Sequence, residues 1–89
     1  MKKHTKIYLE HFDYYPGEHI PCEVCGAPAV DIHHIKARGM GGSKTKDFIE
    51  NLMALCREDH EKYGDKVQYY DFLREIHEEK LWLISQKIN

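Results

Sequence analysis

AVDIHHIKARGMGGSKTKDFIENLMALCREDHEKYG, residues 29–64, is the stretch whose reading decides the fold. Residues 29–35 are short and β-branched, with Val30 and Ile32 on one face by alternation, so they read as a strand. Residues 36–50 carry Gly39, Gly41, Gly42, Ser43 and Thr45 and read as a loop. Structureless loops of roughly 12–15 residues tend to be functional or disordered. Residues 51–55 (NLMAL) read as a second strand, antiparallel to the first. Residues 57–63 read as a short helix ended by Gly64. Strand, glycine-rich loop, strand and helix together make an α+β core.

Upstream, Ile20-Pro21-Cys22-Glu23-Val24-Cys25-Gly26 reads as a tight turn, in which Gly26 permits the bend that lets both thiolates face one ion. Before it, residues 6–12 (KIYLEHF) read as a short helix or an edge strand, between which their apolar pattern does not decide, the helix being preferred, and Tyr14-Tyr15-Pro16-Gly17 breaks regular structure. Downstream, residues 65–87 carry Val67, Tyr70, Leu73, Ile76, Leu83 and Ile84 near helical spacing, with Asp65 as the expected cap. Tyr69, Phe72, Leu81 and Trp82 broaden that apolar stripe, so the helix either wraps the core or forms a homodimer interface. The expected organisation is one domain over residues 1–89, with its motif core at 22–64.

Eighty-nine residues bury little core. A chain of this size hides only roughly 60–65% of the surface its unfolded form exposes, so a metal staple would help. Cys22, Cys25 and Cys56 are odd in number, and no charged-then-apolar leader precedes them. They are expected to be thiolate ligands in a reducing cytosol, not disulfides. No apolar run approaches the roughly 18 residues needed to cross a bilayer, which predicts a soluble, cytoplasmic protein without a membrane partner.

The net charge of -2 argues against broad affinity for nucleic acid. Its distribution is more permissive, because Lys36, Arg38, Lys44 and Lys46 follow His33 with no acid among them. These four are the candidate phosphate contacts.

Cys22, Cys25 and Cys56 offer three of the four ligands of a tetrahedral structural zinc. Cys56-Arg57-Glu58-Asp59 puts a carboxylate where a second CxxC would place a thiol. Asp59, a water, or a histidine such as His4 or His11 is left to complete the shell. A second constellation is His33-His34, Asn51 and His60. Metal-assisted cleavage of a phosphodiester needs an activated water and an ion that stabilises developing charge. His34 can take the proton near neutrality if its other ring nitrogen is held, and Asn51 can present its amide oxygen there. His33 and His60 can bind the divalent ion. Adjacent strand residues point to opposite faces, so a strand end or bulge is expected at this pair.

In its cysteine framing, its His33-His34 pair, Gly39-Met40-Gly41-Gly42, Glu50-Asn51 and Cys56 to His60, the chain resembles the HNH endonuclease family. The likeness is to the small type often found in phages and prophages. It implies a ββα-metal fold and DNA as substrate. It makes His34 the general base braced by Asn51, and His33 and His60 the ligands of the active ion. Asp59 departs from the family's fourth cysteine, and Gly64 stands where some metal-rich members carry a further histidine. Fewer protein ligands favour Mg²⁺, Mn²⁺ or another exchangeable transition ion over a tightly held catalytic zinc. Specificity would need dimerisation or a phage or mobile-element partner protein. The competing class is a non-catalytic zinc-knuckle module that binds nucleic acid or protein, which leaves His34 and Asn51 unexplained. A third is a structural prophage protein acting through its C-terminal helix.

Overall fold

The computed structural model describes residues 2–36 and 47–87; Arg38, Lys44 and Lys46 fall outside them. The elements run α1 (Lys3–Phe12), β1 (Asp31–His34), a 3₁₀ turn (Ile49–Asn51), β2 (Leu52–Leu55), α2 (Arg57–Tyr63), a second 3₁₀ turn (Val67–Tyr69) and α3 (Tyr70–Lys87). This is the expected α+β, ββα arrangement with a zinc-knuckle turn and a C-terminal helix. Among the described residues no helix is long and apolar enough to cross a membrane.

β1 and β2 form an antiparallel ribbon in the register Asp31↔Leu55, Ile32↔Ala54, His33↔Met53 and His34↔Leu52. Alternation divides this ribbon between two small cores. Leu52, Ala54 and Ile32 face α1, packing with Tyr8 and Phe12. Met53 and Leu55 face the other way, packing with Cys22, Cys56 and Leu73. β2 is therefore buried on both faces, and each of Leu52, Met53 and Leu55 adds about 1.5–3 kcal/mol. α3 spans the two cores, with Leu73 and Ile76 in one and Leu81 and Ile84 in the other.

The knuckle closes as its glycine suggests. Gly26 has a φ of 83° and donates its N–H to the Cys22 carbonyl at 2.9 Å. Between the cysteines, Glu23 turns inward. Its Oε2 accepts from the Tyr8 hydroxyl at 2.6 Å, and its Oε1 lies 2.8 Å from Nδ1 of His77, a fully buried residue of α3. His77 Nε2–H donates to the Ile49 carbonyl at 2.6 Å, so one imidazole ties α3 to the knuckle and to the turn before β2.

Three expectations are corrected and one open alternative is decided. The first strand is Asp31–His34, shorter than 29–35, and Val30 is 60% exposed while Ile32 is buried. Of the strand end or bulge expected at His33-His34 the strand end is found, since the ladder is regular and His34 is its last residue. Asn51 ends a 3₁₀ turn and does not open β2. Asp65, at φ 59°, does not cap the long helix, which starts at Tyr70 after an intervening turn.

Candidate active site

Neighbouring strand residues reach one cleft here because β1 pairs only with β2 among the described residues, leaving its other edge open. His33 shares Met53's face and meets α2; His34 shares Leu52's face and meets α1. The cleft around this edge has a volume of about 770 Å³ and is lined by both histidines, His4, Asp47, His60 and Asp65.

On the α2 side, the His33 and His60 rings lie 4.7 Å apart, centroid to centroid. His33 is 4% exposed and its buried Nε2 has no hydrogen-bond partner. A buried polar nitrogen without a partner is costly, and a bound cation would satisfy it. Burial, and then the proximity of His60, hold His33 below its ordinary pKa, so its lone pair is available at neutral pH. One ligand atom from each of His33, His60 and Asp65 falls within 4.8 Å of the other two. His60 also has Asp31 Oδ2 at 3.9 Å from its Nδ1. Gly64 is what keeps this corner open: a Cβ there would meet His60 Cδ2 at 2.4 Å and His33 Cε1 at 3.3 Å.

On the α1 side, His34 Nε2 lies 2.7 Å from Asp47 Oδ1, and the carboxylate side chain is only 2% exposed. Asn51 makes different bonds from those expected. Its Oδ1 accepts from the Lys36 N–H at 2.9 Å and its Nδ2 donates to the Lys36 carbonyl at 3.1 Å. Asn51 thus pins the backbone just beyond β1, and it is Asp47 that lies at hydrogen-bond distance from the His34 ring nitrogen.

The cysteines converge as expected. Cys22 and Cys56 donate to Asp59 Oδ2 at 3.2 and 3.3 Å, and Cys25 Sγ is 3.7 Å from Cys56 Sγ. Cys22, Cys25, Cys56 and Asp59 could hold one metal ion. His4 packs on His34 and His11 on Phe12, whereas Asp59 lies with the three cysteines where a fourth ligand would sit. An N–H of Ala27 favours the Cys25 thiolate, yet bonding to Asp59 with burial and the other thiols wins, pushing this thiol up to about 12. Burial pushes Asp59 up, but the thiol hydrogen bonds from Cys25, Cys22 and Cys56 win and hold it down. The donor set fits zinc: three soft sulfurs and one carboxylate, with protons to release on binding. Cys56 Sγ also accepts the Asp59 N–H at 3.4 Å, so one candidate ligand caps α2 and orients the helix carrying His60.

Asp47, Asp65, His77 and the inward Glu23 went unrecognised in the sequence. Asp65 had a visible signal, lying five residues beyond His60 after a glycine.

The frame of ribbon, knuckle and histidine-bearing helix defines a class, and residues 22–66 match the HNH endonuclease family. The chain belongs to that family, whose members are nucleases that act on DNA with divalent metals. It is also similar to "Uncharacterized protein YdfU" of Escherichia coli (strain K12), 42% identical over 52 residues. That match covers 57% of this chain and 15% of the relative's length. No solved structure matches.

Proposed function

We propose that this chain hydrolyses phosphodiester bonds in DNA as a single nuclease domain, with His34 as general base and a divalent ion held by His33, His60 and Asp65. The observation that carries this reading is the orphaned, buried Nε2 of His33, on a ring whose centroid lies 4.7 Å from that of His60. Bound there, Mg²⁺ or Mn²⁺ would stabilise charge on the scissile phosphate and the departing 3′ oxygen.

The chain's own residues do the rest. Asp47 accepts from His34 Nε2–H, which leaves the Nδ1 lone pair to take a proton from water. Asn51 acts as a positioning residue, fixing the backbone after His34 through Lys36. Lys36 is exposed at the end of β1, and Lys2 and Lys3 line the cleft, adding positive charge where a phosphate backbone would lie. Arg38, Lys44 and Lys46 are proposed to extend that contact. A structural zinc on Cys22, Cys25, Cys56 and Asp59 would fix the knuckle against α2. Exposed Trp82 and Leu83 on α3 are where a second copy or a phage or mobile-element protein would dock.

Nicking of supercoiled plasmid, with and without EDTA, tests the reading. We expect metal-dependent nicking that His34→Ala abolishes while its circular dichroism stays unchanged. Nicking that survives His34→Ala overturns the mechanism, and DNA binding without nicking in any divalent metal supports the binding module instead. One equivalent of zinc in the purified protein, lost in Cys22→Ser, is expected for the knuckle.

A further inference from the structure

The α1 side of the cleft carries a constellation that the proposed hydrolysis does not use as a whole. His4, in the first turn of α1, has its ring centroid 4.6 Å from that of His34. One ligand atom from each of His4, His34 and Asp47 falls within 4.8 Å of the other two, as in the set formed by His33, His60 and Asp65. His4 lies outside the segment matched to the family, so this arrangement comes from the chain's own N-terminal helix.

We propose that His4, His34 and Asp47 form a second cation site, for a divalent transition ion of the zinc class, whose occupation inhibits the nuclease. The donors, two imidazoles and one carboxylate as on the α2 side, suit an ion of the zinc class, so the two sites are told apart by His4 and not by the ion. The two imidazoles already pack together, so the ion would need little rearrangement to be gripped.

Inhibition follows from counting lone pairs. A neutral imidazole has one N–H and one lone pair. A cation at Nδ1 of His34 takes the lone pair that would accept the water proton. A cation at Nε2 moves the N–H to Nδ1, which then faces water as a donor. In either case His34 cannot act as a base while the ion is bound. The inhibitory role rests on the proposed function of His34; the cation site itself does not.

The two parts are tested separately on the full chain. Equilibrium dialysis against Zn²⁺ in excess Mg²⁺ compares wild type with His4→Ala and His4→Gln, each checked by circular dichroism. Both variants are expected to bind one equivalent less than wild type, and a wild-type number in both overturns the site. The same proteins are assayed for Mg²⁺-supported nicking against rising Zn²⁺, each scaled to its own zinc-free rate. Losing one of three ligands should raise the half-inhibitory Zn²⁺ about 10-fold or more. An unchanged inhibition curve overturns the inhibitory role. His4-dependent binding in a wild type that never nicks supports the site and overturns the inhibitory role together with the nuclease reading.

Discussion

His34 Nε2 sits 2.7 Å from Asp47 Oδ1, a carboxylate almost wholly removed from solvent. A buried acceptor of this kind sets both the ring's orientation and its tautomer. Asp47→Ala is therefore expected to lower the nicking rate about 10²-fold, with metal half-saturation little changed, a loss in the range typical of outer partners of catalytic histidines. Initial rates across a metal titration check this. An equal loss in metal affinity would mean that Asp47 serves the ion and not the base.

Gly64 is needed for room and not for a left-handed turn. Its φ is -67°, which alanine adopts freely, yet a Cβ would come within 2.5 Å of the His60 carbonyl oxygen and closer still to the ring. Gly64→Ala should cost about 1–3 kcal/mol through overpacking and raise the half-saturating Mn²⁺ concentration about 10-fold by displacing His60. Urea unfolding and Mn²⁺-dependent nicking read the two effects, and a variant indistinguishable from wild type in both would contradict the geometry.

His77 is the buried tie between α3, the knuckle and the Ile49–Asn51 turn. Removing the imidazole strands the Glu23 carboxylate in the core, a loss of about 3–5 kcal/mol. His77→Ala should unfold at much lower urea than wild type, whereas Tyr8→Phe, which removes one hydrogen bond to the same carboxylate, should cost only about 1–2 kcal/mol. A His77→Ala cost no larger than that of a surface substitution would show that this tie is not structural.

Acid should weaken the metal-free fold in a defined window. His33 is held below its ordinary pKa first by burial and then by His60, and His4 first by burial and then by His34. Above about pH 6.5 both are neutral in folded and unfolded chains and contribute no slope. Below it the unfolded chain takes up protons that the folded chain refuses, so stability falls until the lowered folded values are reached. Urea midpoints in EDTA should drop between pH 7.5 and 5.5, less steeply in His33→Gln, and a flat wild-type profile would contradict this.

The architecture was readable because each of its elements has a local signature. The CxxC turn with Gly26, the β-branched run ending in His33-His34 and the fully apolar β2 each name their own structure. The site was only half readable, since its remaining members converge through tertiary packing. Asp47 follows the glycine-rich stretch of sequence and closes on His34, while Asp65 looks like a helix cap until its backbone turns it into the cleft. Glu23 and His77 pass for solvated charges because nothing local marks a carboxylate and an imidazole from opposite ends of the chain as mutual partners. Asn51 was recognised as important, but its side chain bonds Lys36, a contact that strand spacing could not foresee.

The proposed hydrolysis requires one exchangeable cation between His33 and His60. Titrating Mn²⁺ into the purified full chain and reading free ion by electron paramagnetic resonance tests this directly. Wild type is expected to take up one equivalent that His33→Ala, with an unchanged circular dichroism spectrum, does not. Equal uptake by the two proteins would contradict the placement of the ion.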